Sequence, residues 1–339
     1  MNQPIDRPNI VMSGMRPTGG IGLHLGNWAG ALKNWLVLQE KYPCYFSIVD
    51  WHALTTDYQD TAAIKHDVNN VLLDWLSAGI DPERSVIFLQ SQVKEIAELF
   101  LLLAMVTPLG WLERVPTFKE QQRELQDRDL NTVGFLAYPL LQTVDIIIVR
   151  GNIVPVGEDQ VYHIELAREI VRRFNGLYGE YFAEPQAYLT PIPKLPGVDG
   201  RKMSKSYGNA IYLSDSAEAV EQKIRPMVTD TRRKRKSDPG VPDECPVFDL
   251  HKCFSSGEER QEIVKGCTSA TIGCLDCKKI LIKNLDQMLD PIRERRRKYE
   301  NQPLEDILQT GNRQAREAAG KTVAEVRDLV KLMQPGMAG

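Results

Sequence analysis

The chain has no apolar run long enough to cross a bilayer. Its longest, Leu99 to Val106, falls far short of the ~20 residues that a spanning helix needs, so no membrane partner is expected. Residues Met1 to Met12 lack the apolar core of an export signal. Without such a signal, the six cysteines point to a reducing compartment, and to metal or redox chemistry rather than disulfides. The expected location is the cytoplasm. A large charge of one sign is missing too. A net charge of −3 argues against a general nucleic-acid coat and makes DNA an unexpected partner, while leaving room for a local basic surface. No internal repeat is visible, which removes solenoid architectures. No Ser/His/Asp triad stands out, so a covalent intermediate on a side chain is not indicated.

What is present suits a globular protein. The 339 residues are 42% hydrophobic and 26% charged, enough for two domains with sizeable cores. In the first half, short apolar segments at Asn9–Ser13, Tyr45–Val49, Val86–Leu89 and Ile146–Val149 read as buried strands. Helical patterns near Trp28–Glu40, Ala62–Ala78 and Val93–Met105 separate them. This alternation predicts an α/β fold, a parallel sheet with helices on both faces. Ligands of such sheets bind at the carboxyl ends of the strands. The charged stretch Arg114–Asp129 is expected to leave the sheet edge. After about Leu213 the strand signal stops, and helices are predicted at Ala217–Val228, Cys274–Lys298 and Asn312–Leu332. The expected division is therefore 1–213 and 214–339. A basic segment, Arg232 to Lys236, lies between two of the later helices.

Two segments carry phosphate chemistry. Lys202-Met203-Ser204-Lys205-Ser206 follows the Gly/Pro-rich Pro196–Gly200 loop, which favours a mobile segment. Paired ammonium groups there suit charge stabilisation on a leaving pyrophosphate. By itself a KxxK is better explained by a solvated loop; the full five-residue string is what favours a mechanism. Gly19 to Asn27 lies between the first strand and the first long helix. Its glycines let a nucleotide approach the backbone, the helix start favours phosphate, and His24 and Asn27 offer donors. A third segment, Tyr138 to Asp145, spaces Tyr138, Gln142 and Asp145 on one helical face. Asp145 abuts an apolar run, where a carboxylate needs a donor partner; an indole N–H, which only donates, would suit it. A fourth, Val154 to Gln160, offers a tight turn at Gly157 and polar groups at Asp159 and Gln160 for a ribose.

Together, His24-Leu25-Gly26-Asn27 and the lysine string resemble the HIGH and KMSKS signatures of class I aminoacyl-tRNA synthetases, with Asn27 in place of the second histidine. Further stretches narrow the resemblance to the tryptophanyl-tRNA synthetases of bacteria: Ser13–Gly19, Val49–Thr55, Tyr138–Asp145 and Pro155–Gln160. The resemblance implies a Rossmann-type catalytic domain over 1–213 and a helical anticodon-binding domain over 214–339, whose last helix could pack back on the first, in a homodimer. The implied activity is activation of L-tryptophan by ATP with Mg2+, followed by transfer to tRNA(Trp). By carry-over, His24, Asn27, Lys202 and Lys205 are catalytic. Arg16, Gly26, Gly157, Glu158 and Asp159 would contact ATP together with Met203, Ser204 and Ser206. Asp145 would accept the indole N–H, with His52, Tyr138, Gln142 and Gln160 lining the tryptophan pocket. Lys119 is a further candidate phosphate contact. Arg16 stands where many members have Gln, Gln142 replaces a common Met, and Met12 occupies a position often aromatic.

The cysteines form a separate constellation. Cys245, Cys267, Cys274 and Cys277 lie close in sequence, with Cys253 among them and Cys44 far away. Dense thiolates bind zinc or an iron–sulfur cluster, and spacing does not separate the two. The region resembles a subgroup of bacterial tryptophanyl-tRNA synthetases that carry a [4Fe–4S] cluster. That resemblance implies Cys245, Cys267, Cys274 and Cys277 as ligands, with Cys253 as the substitute for Cys245.

Overall fold

The computed structural model describes residues 8–18, 20–116, 129–189 and 195–334. Lys119, Gly19 and most of Arg114–Asp129 lie outside them. Five parallel strands run in the order β3-β2-β1-β4-β5, with β1 Val11–Met15, β2 Cys44–Ile48, β3 Ser85–Leu89, β4 Ile153–Val156 and β5 Gln186–Leu189. The register aligns Val11 with both Cys44 and Ile153. Chain order reverses at β1, where successive strands depart to either side. A crevice opens at such a switch point, beyond the carboxyl ends of the strands.

One expected strand is a helix. Ile146–Ile148 closes α7, Val133–Ile148, and the strand of this region is β4. A short apolar run cannot distinguish a buried strand from a buried helix. Here the helix has a clear start, because the Thr132 hydroxyl accepts from Phe135 N at 3.1 Å. Its interior Pro139 has no N–H to give the ladder, and the Pro139 carbonyl accepts from the Thr143 hydroxyl at 3.0 Å. β5 was not foreseen; it is a four-residue edge strand, mostly exposed, with little apolar pattern.

Helices cover both faces. After β1 come α1 (Leu25–Asn27), a π-helical turn (Trp28–Leu32) and α2 (Lys33–Leu38). Then follow α3 (Asp50–Asp57), α4 (Ile64–Ala78), α5 (Glu95–Ala104), α6 (Leu109–Glu113), α7 and α8 (Val161–Tyr178). On one face Trp35 stacks on Phe46 with ring centres 4.5 Å apart, and meets the edge of Trp75 at 5.1 Å. On the other, Met12 and Phe88 pack with Val93, Ile96, Val144 and Ile170.

Beyond Leu213 the chain is helical: α9 (Ala217–Ile224), α10 (Pro246–Phe254), α11 (Gly257–Thr268), α12 (Cys274–Tyr299) and α13 (Leu304–Leu329). Ser256 and Glu259 cap α11 reciprocally. α12 contains Pro291, which has no N–H to give the helix ladder. These helices share cores with the sheet. Leu281, Leu285, Leu289 and Ile292 of α12 belong to the Trp35–Trp75 core, and Ala315, Ala319, Val323 and Val326 of α13 belong to the other. Each large side chain so buried contributes about 1.5–3 kcal/mol. α13 lies against β3 itself. Asn312 Oδ1 accepts from Leu89 N at 2.8 Å, and a Cβ on Gly311 would run into the Ile87 carbonyl oxygen.

Candidate active site

A cleft of about 530 Å³ opens at the switch point between β1 and β4. Its walls come from β1 and the residues after it, from α1, α3 and α7, and from β4 and its turn. It gathers Arg16, Gly26, Asn27, His52, Tyr138, Gln142, Asp145, Gly157 and Gln160 from the sequence-derived set, together with Met12. Glu158 is exposed at the start of a 3-10 turn, Glu158–Gln160. The side chain of Asp159 lies outside what is described.

At one end sits Asp145, buried on α7. Gln90 Nε2 donates to its two oxygens at 2.8 and 2.9 Å, and His52 Nε2 lies 3.0 Å from Oδ2. Gln90 is itself oriented, because its Oε1 accepts from Trp51 N at 3.0 Å. The carboxylate is thus aimed and partly satisfied from behind, which allows it to stay in an apolar wall. Tyr138 stands beside it between two imidazoles, with ring centres 6.5 Å from His52 and 5.4 Å from His163. Gln90 and His163 are buried participants that sequence reasoning missed. Gln90 follows a strand end directly, which is the signal that could have found it.

At the other end the His24–Asn27 turn holds itself together. His24 Nδ1 accepts from Gly26 N at 3.1 Å and from Asn27 N at 3.3 Å, while Asn27 Oδ1 accepts from His24 N at 3.0 Å. Nδ1 is therefore an acceptor, and the ring proton belongs on Nε2. Burial lowers the His24 pKa to about 4, helped by Lys205 and then Lys202. A neutral ring with Nε2–H as its donor results. Arg16, expected at ATP, also reaches across to Thr56 and to Asp57 Oδ2, the latter at 3.3 Å.

The lysine string lies against this turn. Leu25 N donates to Ile211 O and Leu213 N to Leu23 O, both at 2.9 Å, so the segment after the lysines pairs with the turn. Lys205 Nζ donates to Thr18 O at 2.6 Å. Met203 is buried, and Lys202 and Ser206 are exposed. Ser204 and Ser206 share a hydroxyl contact of 2.8 Å. The loop is tied at its base by Asn209, which accepts from Ser204 N at 2.8 Å and donates to Asp199 at 2.7 Å and to Lys202 O at 3.1 Å. Asn209 is a third residue absent from the sequence-derived set. Burial pulls the Lys205 pKa down, and Asp67 and Asp74 oppose the shift.

The cysteines gather elsewhere. Cys277, on the first turn of α12, has its thiol pushed up to about 12, first by burial and then by Cys245, Cys267 and Cys274. Cys253 is influenced instead by Lys33, Asp249, Arg260 and Lys252, so it stands apart from this group. Arg233 points inward, 3.9 Å from the sulfurs of both Cys267 and Cys274, and donates to Lys236 O and Ile272 O. Arg232 pairs with Asp230 and Glu244. The basic segment therefore offers only Lys234, Arg235 and Lys236 as exposed cations free of these internal ties. Among the described residues, no three or more His, Cys, Asp or Glu side chains are placed to hold a single metal ion.

A parallel sheet with its crevice at the switch point, a histidine-capped glycine turn and a lysine loop paired onto that turn define a class I synthetase architecture. Residues 3–290 match the family of tRNA synthetases class I (W and Y), and the chain belongs to that family. It is 54% identical to the tryptophan–tRNA ligase of Thermotoga maritima over 95% of this chain and 99% of that one. Identity to the tryptophan–tRNA ligase of Aquifex aeolicus is 44%, over 95% and 99%. Among solved structures, the tryptophanyl-tRNA synthetase of Campylobacter jejuni complexed with ADP and tryptophan superposes with a TM-score of 0.84 at 32% identity, covering 95% of this chain and all of that one.

Proposed function

We infer that the chain is a tryptophan–tRNA ligase: it activates L-tryptophan with ATP to tryptophanyl-adenylate and pyrophosphate, then loads tryptophan onto tRNA(Trp). The observation that carries the specificity is the buried Asp145 carboxylate, aimed into the cleft by Gln90 and His52. A donor-only indole N–H matches it. Tyr138, Gln142 and Gln160 line the same end and serve the rest of the amino acid.

The tryptophan carboxylate attacks the α-phosphate, the bond to the bridging oxygen breaks, and pyrophosphate leaves; Mg2+, when bound, would supply charge neutralisation on the phosphates. Little covalent work falls to the protein, so positioning and charge stabilisation dominate. Gly26 and Gly157 admit the nucleotide, Arg16 and Asn27 stand beside it, and Glu158 and Asp159 belong to its ribose side. His24 donates through Nε2 to a phosphate oxygen. Lys202 and Lys205 stabilise the departing pyrophosphate, with Met203, Ser204 and Ser206 shaping the loop. A hydroxyl of the terminal tRNA ribose then attacks the acyl carbon and AMP leaves. Tryptophan-dependent pyrophosphate exchange tests this reading. Exchange with tyrosine and none with tryptophan would overturn it.

Residues 1–213 form the catalytic domain and 214–339 the anticodon-binding domain. The reading is supported by the element order among the described residues, in which β5 is the last strand and every element after Leu213 is helical. A homodimer belongs to the same reading, supported by exposed Tyr58 and Val133 where α3 meets the start of α7. Light scattering showing only monomer at micromolar concentration would remove it. Six free thiols agree with a reducing cytoplasm.

We propose Cys245, Cys267, Cys274 and Cys277 as the residues that would hold a [4Fe–4S] cluster, although their side chains are not arranged around a single metal position here. The reading is supported by Arg233 Nη1, 3.9 Å from the sulfurs of both Cys267 and Cys274, whose guanidinium would offset the negative charge of four thiolates, and by the rise that Cys245, Cys267 and Cys274 cause in the Cys277 pKa. Such a cluster supplies a structural tie, outside the cleft. Protein made anaerobically should be brown with about four irons per chain, the content of a cubane held by four thiolates. Cys274→Ser should lose the colour, weaken tRNA charging and spare pyrophosphate exchange. Stoichiometric zinc in colourless protein would replace the cluster in this reading.

A further inference from the structure

The polar face of α4 that holds the phosphate turn has no role in the mechanism above. Asp67, Asn70 and Asp74 are spaced i, i+3, i+7 on one side of this helix. All three grip the turn. Asp67 Oδ1 accepts from Gly20 N at 3.0 Å, Asn70 Nδ2 donates to Gly20 O at 2.9 Å, and Asp74 Oδ2 accepts from Leu23 N. Gly22 lies between them with φ +99°, and a Cβ there would come within 2.6 Å of Asp74 Oδ2. The backbone entering His24 is thus wrapped onto the Asp74 carboxylate, which is 1% exposed.

The other oxygen of Asp74 is taken by α12. Arg296 Nη1 donates to Oδ1 and its Nε donates to Glu300. Burial raises the Asp74 pKa, while Leu23 N and Arg296 pull it back. A buried carboxylate that lost Arg296 would keep a desolvated charge with one partner fewer, and its grip on Leu23 N would change. The neighbouring Arg295 docks the same two helices without touching this carboxylate, through Ser77 O at 2.6 Å and Ala78 O at 3.1 Å.

We propose that Asp74 and Arg296 are a positioning pair for adenylation: the arginine of the helical region fixes the carboxylate that sets the His24 backbone against the ATP phosphates. The inference rests on the adenylation reading, which exchange by the wild-type protein checks separately.

The test is tryptophan-dependent pyrophosphate exchange by full-length Arg296→Gln, Arg296→Lys, Asp74→Asn and Arg295→Gln. A 1 Å misplacement at a reacting centre costs about 100-fold, so Arg296→Gln and Asp74→Asn should lower kcat by at least about 10-fold. The KM for tryptophan should stay within about twofold, since Asp145 is at the far end of the cleft. Arg296→Lys should restore part of kcat. Arg295→Gln should lower the thermal midpoint as much as Arg296→Gln while leaving kcat in place. A kcat of Arg296→Gln matching that of Arg295→Gln would overturn the proposal. So would a loss shared equally between kcat and the tryptophan KM, whichever of the two Asp74 and Arg296 variants folds.

Discussion

The Asp145 carboxylate is held from two sides, by the Gln90 amide and by the His52 ring. Loss of a hydrogen bond to a charged group costs about 1.5–3 kcal/mol, so Gln90→Ala should raise the tryptophan KM by about 10-fold or more. Asp145→Ala should raise it further, with the ATP KM little changed in both. An unaltered tryptophan KM in Asp145→Ala would remove this residue from the pocket. His24 makes a prediction on pH. Its pKa is lowered from 6.5 to about 4, by burial first and then by Lys205 and Lys202. Between these values the unfolded chain binds a proton that the folded chain refuses. The contribution is complete above about pH 6.5 and is lost as pH falls toward 4. Urea midpoints should therefore drop more steeply across that window in the wild type than in His24→Gln; parallel pH profiles would count against the assignment. The residues proposed to meet ligand were the legible ones, because their types sit in short strings with their own chemistry. Of those that hold them, Gln90 and Asp74 come from distant segments, while Asn209 closes the lysine loop locally. Gln90 left a trace in its place directly after a strand, and the Asp67-Asn70-Asp74 stripe one in its helical spacing along one side of α4.

At the scale of elements, the α/β alternation was readable because three of the strands are apolar runs between amphipathic helices. Ile146–Val149 misled for the same reason, since α7 buries these residues and shows no polar face there. β5 has neither an alternating nor an apolar pattern, and it is defined by pairing with β4 from Ile153 to Val156. The packing of α13 on β3 depends on a glycine that no local pattern distinguishes. A Cβ at Gly311 meets backbone on three atoms of Ile87, and strand backbone cannot rotate away as a side chain does. Gly311→Ala should cost about 1–3 kcal/mol or more, the range for overpacked sites, and calorimetry should show a lowered thermal midpoint. A midpoint equal to the wild type would mean that the helix stands off the strand.

For the whole molecule, the composition pointed to two domains, the motifs to the chemistry and the resemblance to a last helix packing back on the first half, as α13 does on β3, while the docking of α12 was hidden. Both cores are shared: α12 and α13 place aliphatic side chains among those of the sheet's flanking helices. Such sharing comes from contacts between residues more than 200 positions apart, such as Arg296 with Asp74, and periodicity within a window cannot see them. Pro291 adds a mechanical property to this join. It divides α12 into a short end, where Arg293, Arg295 and Arg296 bond Asp215, Ser77 and Asp74, and a long arm that begins at Cys274. The missing rung at proline makes this the softest joint of the helix. At 1.5 Å per residue the arm is about 25 Å long, so a bend of about 5° carries its tip about 2 Å. The arm is not free to follow such a bend: Leu281, Leu285 and Leu289 pin it in the Trp35–Trp75 core and Lys278 ties it to Arg225 O and Met227 O, so a strain at the joint is resisted along the whole rod.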